Sequence, residues 1–279
     1  MLKEISKSDN KTIVNELLTY FDRICRANDV EYSLSGGSLL GAVRHHGFIP
    51  WDDDGDVMLT RSNYEKVKKI FKNVDSFQYG FMDEHTSGYY YGFSKLYDKR
   101  TISNPLSPLD QNINGLGVFI DIFPIDKIPD NKQLKQSFSN EILDLNNNMY
   151  MSIPGLYYYS SGSWIREAIK RVLFYPKFIK ANRLNKSTDE WHELVLKKLQ
   201  QYDNTNAKNG GYISSEYTTR EIMPYATFMY YQDIEFQGKK FRAISDYKTY
   251  LKALYGDYMQ LPPKNKRHPK HAYISYWKE

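Results

Sequence analysis

The feature that most narrows what this chain can fold into is a run of carboxylates, Asp52, Asp53, Asp54 and Asp56, broken only by Gly55 and leading into the apolar Val57-Met58-Leu59. Such a run reads as a strand whose first half is charged. Side chains two apart on a strand share a face and sit about 7 Å apart, so Asp54 and Asp56 can flank one or two hard cations while Gly55 faces the other way. Carboxylates gathered on one face oppose one another's ionisation, and a fold tolerates them when a cation or basic ligand neutralises them. The bare Gly55 admits another element close behind the acids, at some cost in strand stiffness. Upstream, residues 29–35 read as a short strand ended by Gly36-Gly37, and Ser38 to Arg44 as a short helix closed by Gly47. The order is therefore strand, glycine loop, helix, acidic strand.

A strand-to-helix junction offers unpaired amide hydrogens and the positive end of a helix dipole, and glycines let the backbone approach an anion. Gly36, Gly37 and Ser38 are thus a candidate phosphate cradle beside the candidate metal ligands Asp54 and Asp56. Alone, Gly-Gly-Ser is a common turn; the acid pair one short helix later gives it weight. Asp121 is an acid inside an otherwise apolar strand, residues 117–123, which Pro124 is expected to stop. It reads as a third carboxylate that completes the metal shell and takes the proton of an attacking hydroxyl, or as a strand-end acid bonded to a turn. Arg44 and His45 end the short helix facing the acids, placed to pair with them or to steady a phosphate. Lys95, in the expected strand 89–96, reads as a phosphate ligand in a cleft or as a lysine snorkelling at a sheet edge. The basic stretch from Lys264 to His271 reads as a solvated terminus or as a binder of phosphate or anionic lipid headgroups.

Around this unit the pattern is α+β. Apolar residues from Ile13 to Cys25 recur at steps of three and four, which predicts a surface helix over residues 11–28, and Ser62 is placed to cap another through Asn73. Beyond Pro129 come longer helical segments near residues 132–149, 163–178 and 188–202, then a hairpin turning at Gln237-Gly238 and a helix stopped by Gly256. We expect a mixed-sheet core over residues 1–130 and a mainly helical lobe over residues 131–279, which carries the short C-terminal hairpin and serves the acceptor or headgroup side. The apolar fraction of 41% and charged fraction of 25% argue against disorder and fibrous architectures. A single cysteine, Cys25, excludes an internal disulfide, and no apolar run approaches the roughly eighteen residues of a membrane span. Together with an N-terminus lacking an apolar signal core, this makes the cytoplasm the expected location, with room for peripheral contact at the inner face of the membrane. A net charge of +5 favours anionic ligands and does not call for nucleic acid.

Two stretches, Gly37-Ser38-Leu39-Leu40-Gly41-Ala42-Val43-Arg44 and Gly47-Phe48-Ile49-Pro50-Trp51-Asp52-Asp53-Asp54-Gly55-Asp56-Val57, resemble the LicD family, which includes bacterial phosphocholine transferases and is related to fukutin-type phosphotransferases. Phe119-Ile120-Asp121-Ile122-Phe123-Pro124, Leu254-Tyr255-Gly256-Asp257-Tyr258-Met259 and Leu261-Pro262-Pro263 extend the likeness over most of the chain. The resemblance implies a nucleotidyltransferase-like fold and transfer of a phosphoalcohol, typically phosphocholine, from a CDP-activated donor to a hydroxyl of a glycan or lipid-linked glycan precursor of the cell surface. Teichoic acid, lipopolysaccharide and capsule are such acceptors. It also implies magnesium, with manganese as the substitute, bridging the diphosphate at Asp54, Asp56 and Asp121. Gly55 departs from the family pattern, which has a bulky aliphatic residue there. A choline headgroup calls for an aromatic box, for which Trp51, Tyr89, Tyr90 and Tyr91 are candidate walls. Two rivals remain. A nucleotide-sugar glycosyltransferase also uses an Asp-x-Asp site, but after a long nucleotide-binding sheet; an inactive nucleotide- or glycan-binding protein would be expected to have lost one of the three acids.

Overall fold

The computed structural model describes residues 2–74, 76–105, 107–111, 113–160, 163–214, 218–267 and 273–278. His268 and His271 of the basic stretch lie outside the described residues. The first helix, α1 (Lys7–Ala27), starts earlier than its apolar stripe because Ser6 caps it, accepting the Asp9 N–H. Its stripe of Ile13, Val14, Leu17, Leu18, Phe21 and Cys25 is buried. There follow β1 (Ser33–Leu34), α2 (Gly36–His45), β2 (Asp56–Thr60), α3 (Arg61–Asn73), β3 (Tyr79–Met82), β4 (Ser94–Asp98), β5 (Thr101–Pro105) and β6 (Phe119–Ile128). The second half contributes α4 (Lys132–Ser152), α5 (Trp164–Asn182), α6 (Thr188–Leu199), β7 (Asn209–Gly211), β8 (Met223–Pro224), β9 (Tyr231–Phe236), β10 (Lys239–Ile244), α7 (Tyr247–Tyr255) and β11 (Tyr273–Trp277).

This is an α+β fold built on a mixed sheet in the order β1-β2-β6-β4-β3, with β7 on β6 and β8 on β7. The β2–β6 pairing is parallel; β1–β2, β4–β6 and β3–β4 are antiparallel. Three strand expectations change. The first strand shrinks to Ser33–Leu34, and Tyr89 to Tyr91 lie ahead of β4 rather than in it. Pro124 does not stop its strand: β6 runs on to Ile128, and Pro124 sits opposite Leu59 of β2. The Asp121 N–H bonds the Gly55 carbonyl on the β2 side, so strand alternation turns the nitrogen of Pro124 to the other edge. There β4 has ended, with Ser94 opposite Ile122, and β7 begins only with Gly211 opposite Asp126, so the missing donor costs no ladder bond.

One hydrophobic cluster joins the α1 stripe, Leu34, Val57, Met58, Leu59, Ile120 and Ile122 to Phe236, Phe241, Tyr250, Leu251 and Leu254. The C-terminal hairpin and α7 thus pack into the same core as the first helix. The hairpin turns where expected, Gln237 and Gly238 both having positive φ (52° and 70°), the geometry that matches strand twist. Segments α4 and α6 form a smaller cluster through Phe138, Ile142, Val195 and Leu199, which meets β6 at Ile128. Among the described residues no helix is long and apolar enough to cross a membrane.

Candidate active site

Parallel pairing of β2 and β6 puts Asp56 directly opposite Asp121. The two acids therefore sit side by side at the start of neighbouring strands. Asp54 lies two residues ahead of Asp56, before the strand proper rather than within it, and the pairing still reaches Gly55 through its carbonyl. A Cβ on Gly55 would stand 2.7 Å from Val14 Cγ1 and 2.9 Å from Ile120 Cγ2. The missing side chain thus lets α1 press against the back of the acidic centre.

On the open side the N-terminus of α2 meets the same acids. Gly36 has φ +48°, a conformation that suits glycine, and a Cβ there would lie 3.2 Å from Asp56 Oδ2; one on Gly37 would lie 2.6 Å from Asp52 Oδ2. The Gly36 N–H donates to the Tyr250 hydroxyl at 3.3 Å, and that hydroxyl is 3.1 Å from Ser35 Oγ. Ser38 is buried, and its hydroxyl accepts the Asp56 N–H at 2.9 Å, pinning the head of β2 to the helix instead of facing the open side.

Burial pushes the Asp56 carboxyl well above the usual carboxylate range, and the charges of Asp54, Asp121 and Asp52 push it further; Lys95 opposes them. Lys95 is buried opposite Asp121 in the β4–β6 register, ion-pairs with that carboxylate and lies 3.5 Å from the centroid of the Phe119 ring. The donor set is all carboxylate oxygen, which suits magnesium or manganese, and the accumulated charge around Asp56 is what a cation relieves. Among the described residues, no three acidic, histidine or cysteine side chains are gathered closely enough to hold a metal ion as they stand.

These elements open onto a cavity of about 1060 Å³ lined by Gly36, Gly37, Arg44, Trp51, Asp52, Asp54, Asp56 and Asp121. Of the aromatic candidates, Trp51, Tyr90 and Tyr91 line it, while Tyr89 is buried and borders a smaller pocket beside Glu84 and His85. The Trp51 face is covered by the Arg267 guanidinium, 5.4 Å from the ring centroid. Arg44 donates to the Tyr258 and Gln260 carbonyls at 2.9 and 3.5 Å, so it anchors the C-terminal segment over the cavity. His192 also lines the wall; burial holds its pKa below the ordinary value, and Nε2 lies 3.2 Å from the Tyr91 carbonyl.

Sequence reasoning missed the far end of the cavity. Phe123 lies two residues beyond Asp121 on the same face of β6, a step of about 7 Å. Its ring is 4.7 Å from Phe93 and 4.9 Å from Tyr212, and Tyr150 and Glu221 complete the wall. The Glu221 charge acts on both Tyr212 and Tyr250. No local pattern marks Glu221; Tyr255 and Tyr258, by contrast, fall in the Leu254 to Met259 stretch singled out above.

Residues 29–147 match the family model described as LicD/FKTN/FKRP, nucleotidyltransferase domain, which covers the glycine loop and all three acids. The loop, the sheet and the acids thus define a nucleotidyltransferase-type domain. Residues 29–147 carry a domain of the LicD type, and over 283 residues, 99% of either chain, the chain is 27% identical to the lipopolysaccharide cholinephosphotransferase LicD of Haemophilus influenzae. Shorter matches are to uncharacterized proteins of Rickettsia prowazekii (36% identical over 52 residues, 19% of this chain and 20% of the relative) and Rickettsia typhi (29% over 89 residues, 32% and 28%).

Proposed function

We propose that this chain is a metal-dependent phosphotransferase that moves phosphocholine from CDP-choline to a hydroxyl of a cell-surface glycan precursor, lipopolysaccharide being the acceptor named for its full-length relative. The observation that carries the reading is the side-by-side placement of Asp56 and Asp121 at a glycine-lined helix N-terminus, within a cavity large enough for a nucleotide-linked donor. In this reading the Gly37 amide at the N-terminus of α2 receives the diphosphate, while Tyr250 holds the Gly36 amide. Asp54, Asp56 and Asp121 would hold magnesium or manganese, which would offset the charge of the diphosphate. The acceptor oxygen attacks the phosphorus that bears choline, the bond to the bridging oxygen breaks, CMP departs, and the hydroxyl proton passes to the Asp121 carboxylate. Lys95 fixes that carboxylate in place. An ethylene linker joins choline's nitrogen to the transferred phosphate, so in this reading the headgroup falls one strand step along β6, at Phe93, Phe123 and Tyr212, with Glu221 on the same cavity wall. Aromatic faces backed by an acid suit a quaternary ammonium.

The test is CMP release from CDP-choline, CDP-ribitol and CDP-glycerol assayed side by side with magnesium present. Turnover of the choline donor is expected, with a loss of about 10³-fold for Asp54→Asn or Asp56→Asn in a chain that keeps its melting temperature. Release from the ribitol or glycerol donor alone overturns the headgroup, and full activity in either variant overturns the mechanism.

A further inference from the structure

Helix α5 is built like the others and packed unlike them. Ser163 caps it by accepting the Arg166 N–H, and the helix runs for 19 residues, yet Ala181 is its sole buried residue. Trp164, Val172 and Leu173 are 78%, 75% and 66% exposed, and Ile165, Ile169 and Tyr175 are more than half exposed as well. At about 100° per residue these six fall within roughly half the helix circumference, so they form one apolar face rather than scattered contacts. The opposite side is occupied: Phe178 stacks on Tyr157 with centroids 4.5 Å apart, Arg171 lies 4.7 Å from the Tyr158 ring, and Lys170 donates to the Tyr159 carbonyl at 2.8 Å. The helix is therefore held in place from beneath with its apolar face turned outward.

Charge distinguishes the partners such a face fits. Arg166, Lys170, Arg171, Lys177 and Lys180 stand on α5 against a single acid, Glu167. Arg166 and Lys177 follow one flank of the apolar face at that helical spacing, with Trp164 at the helix start and Tyr175 further along the face. The apolar face of α5 lies outside both cavities described above. Cations at nearly every turn and the internal Pro176 prevent it from spanning a bilayer, in keeping with the absence of any membrane-crossing helix among the described residues. We propose that α5 docks the protein on an anionic lipid surface, its apolar face sunk into the headgroup boundary and its cations against the lipid phosphates. The proposal stands independently of the reaction assigned above.

Co-sedimentation of the full chain with phosphatidylcholine vesicles, with and without phosphatidylglycerol, tests it. Sedimentation with the anionic vesicles is expected, falling as salt is raised. Val172→Glu with Leu173→Glu should weaken it at least about tenfold and Lys177→Gln roughly fivefold. Both variants should keep the wild-type melting temperature and the same CMP release with a water-soluble acceptor, which separates docking from catalysis. Equal sedimentation of the Val172/Leu173 variant and the wild type, or none for the wild type, overturns the proposal. So does a concentration-dependent dimer that the same double substitution disrupts without any vesicle binding, which would assign the face to a second copy of the chain.

Discussion

Helices α1 and α5 are nearly equal in length, 21 and 19 residues, and each opens on a serine that accepts an amide three residues on. Their local code is the same, and their fates are opposite. In α1 six apolar side chains are buried; in α5 one is. The difference lies in what each helix faces. The α1 stripe meets the back of β6 and of the Gly55 stretch ahead of β2, so the helix backs the acids of the cavity; among the described residues α5 packs chiefly on the 156–159 turn and α4. Capping and periodicity make a helix, and the neighbouring surface decides whether its apolar face stabilises the fold or is left for another partner.

The contrast is sharpest in stability. Leu17 is fully buried in α1, and Leu17→Ala is expected to lower the unfolding free energy by about 2–5 kcal/mol, read as a drop in the urea midpoint at constant slope. A loss below roughly 1 kcal/mol would mean that α1 does not carry the core as described. The next effect lies at the contact itself. Gly55→Val drives methyl groups into Val14 and Ile120, an overpacking worth about 1–3 kcal/mol. If close approach of α1 is the cause, Val14→Ala in the same chain should recover part of that loss, giving a non-zero coupling in a double-mutant cycle. Simple additivity of the two changes would place the cost of the valine elsewhere.

Much of this was legible before the structure because it depended on near neighbours in sequence. The α1 stripe, the turn at Gln237-Gly238, the glycine bend at Gly36 and the close packing behind Gly55 each follow from periodicity or from what glycine permits. What was not legible depended on partners distant in sequence. Pro124 continues its strand only because β4 stops and β7 starts around it. The sequence leaves Lys95 between a cleft and a sheet edge; pairing of β4 between β6 and β3 removes the edge and sets it against Asp121. Tyr212 and Glu221 reach the cavity through β7 and the segment after it, short pieces whose positions no local pattern encodes. Arg44 follows the same rule in part: its place at the end of a helix is evident, and beside the His45 ring it bonds two carbonyls more than two hundred residues away.

The smallest expected effect is the one that most directly separates the two helices. Val172 is as apolar as Val14, lies in a helix of similar length, and is three-quarters exposed. Removing its methyls takes nothing out of a packed interior, so Val172→Ala should change the urea midpoint by no more than about 0.5 kcal/mol equivalent. The slightly better helix propensity of alanine pushes the change toward stabilisation. Val14→Ala, the matched substitution in α1, leaves a gap against β6 and the Gly55 stretch and should be clearly destabilising under the same conditions. A Val172→Ala loss comparable to that of Val14→Ala would show that α5 is covered in solution by another part of the chain or by a second copy, and the apolar face would then belong to the fold.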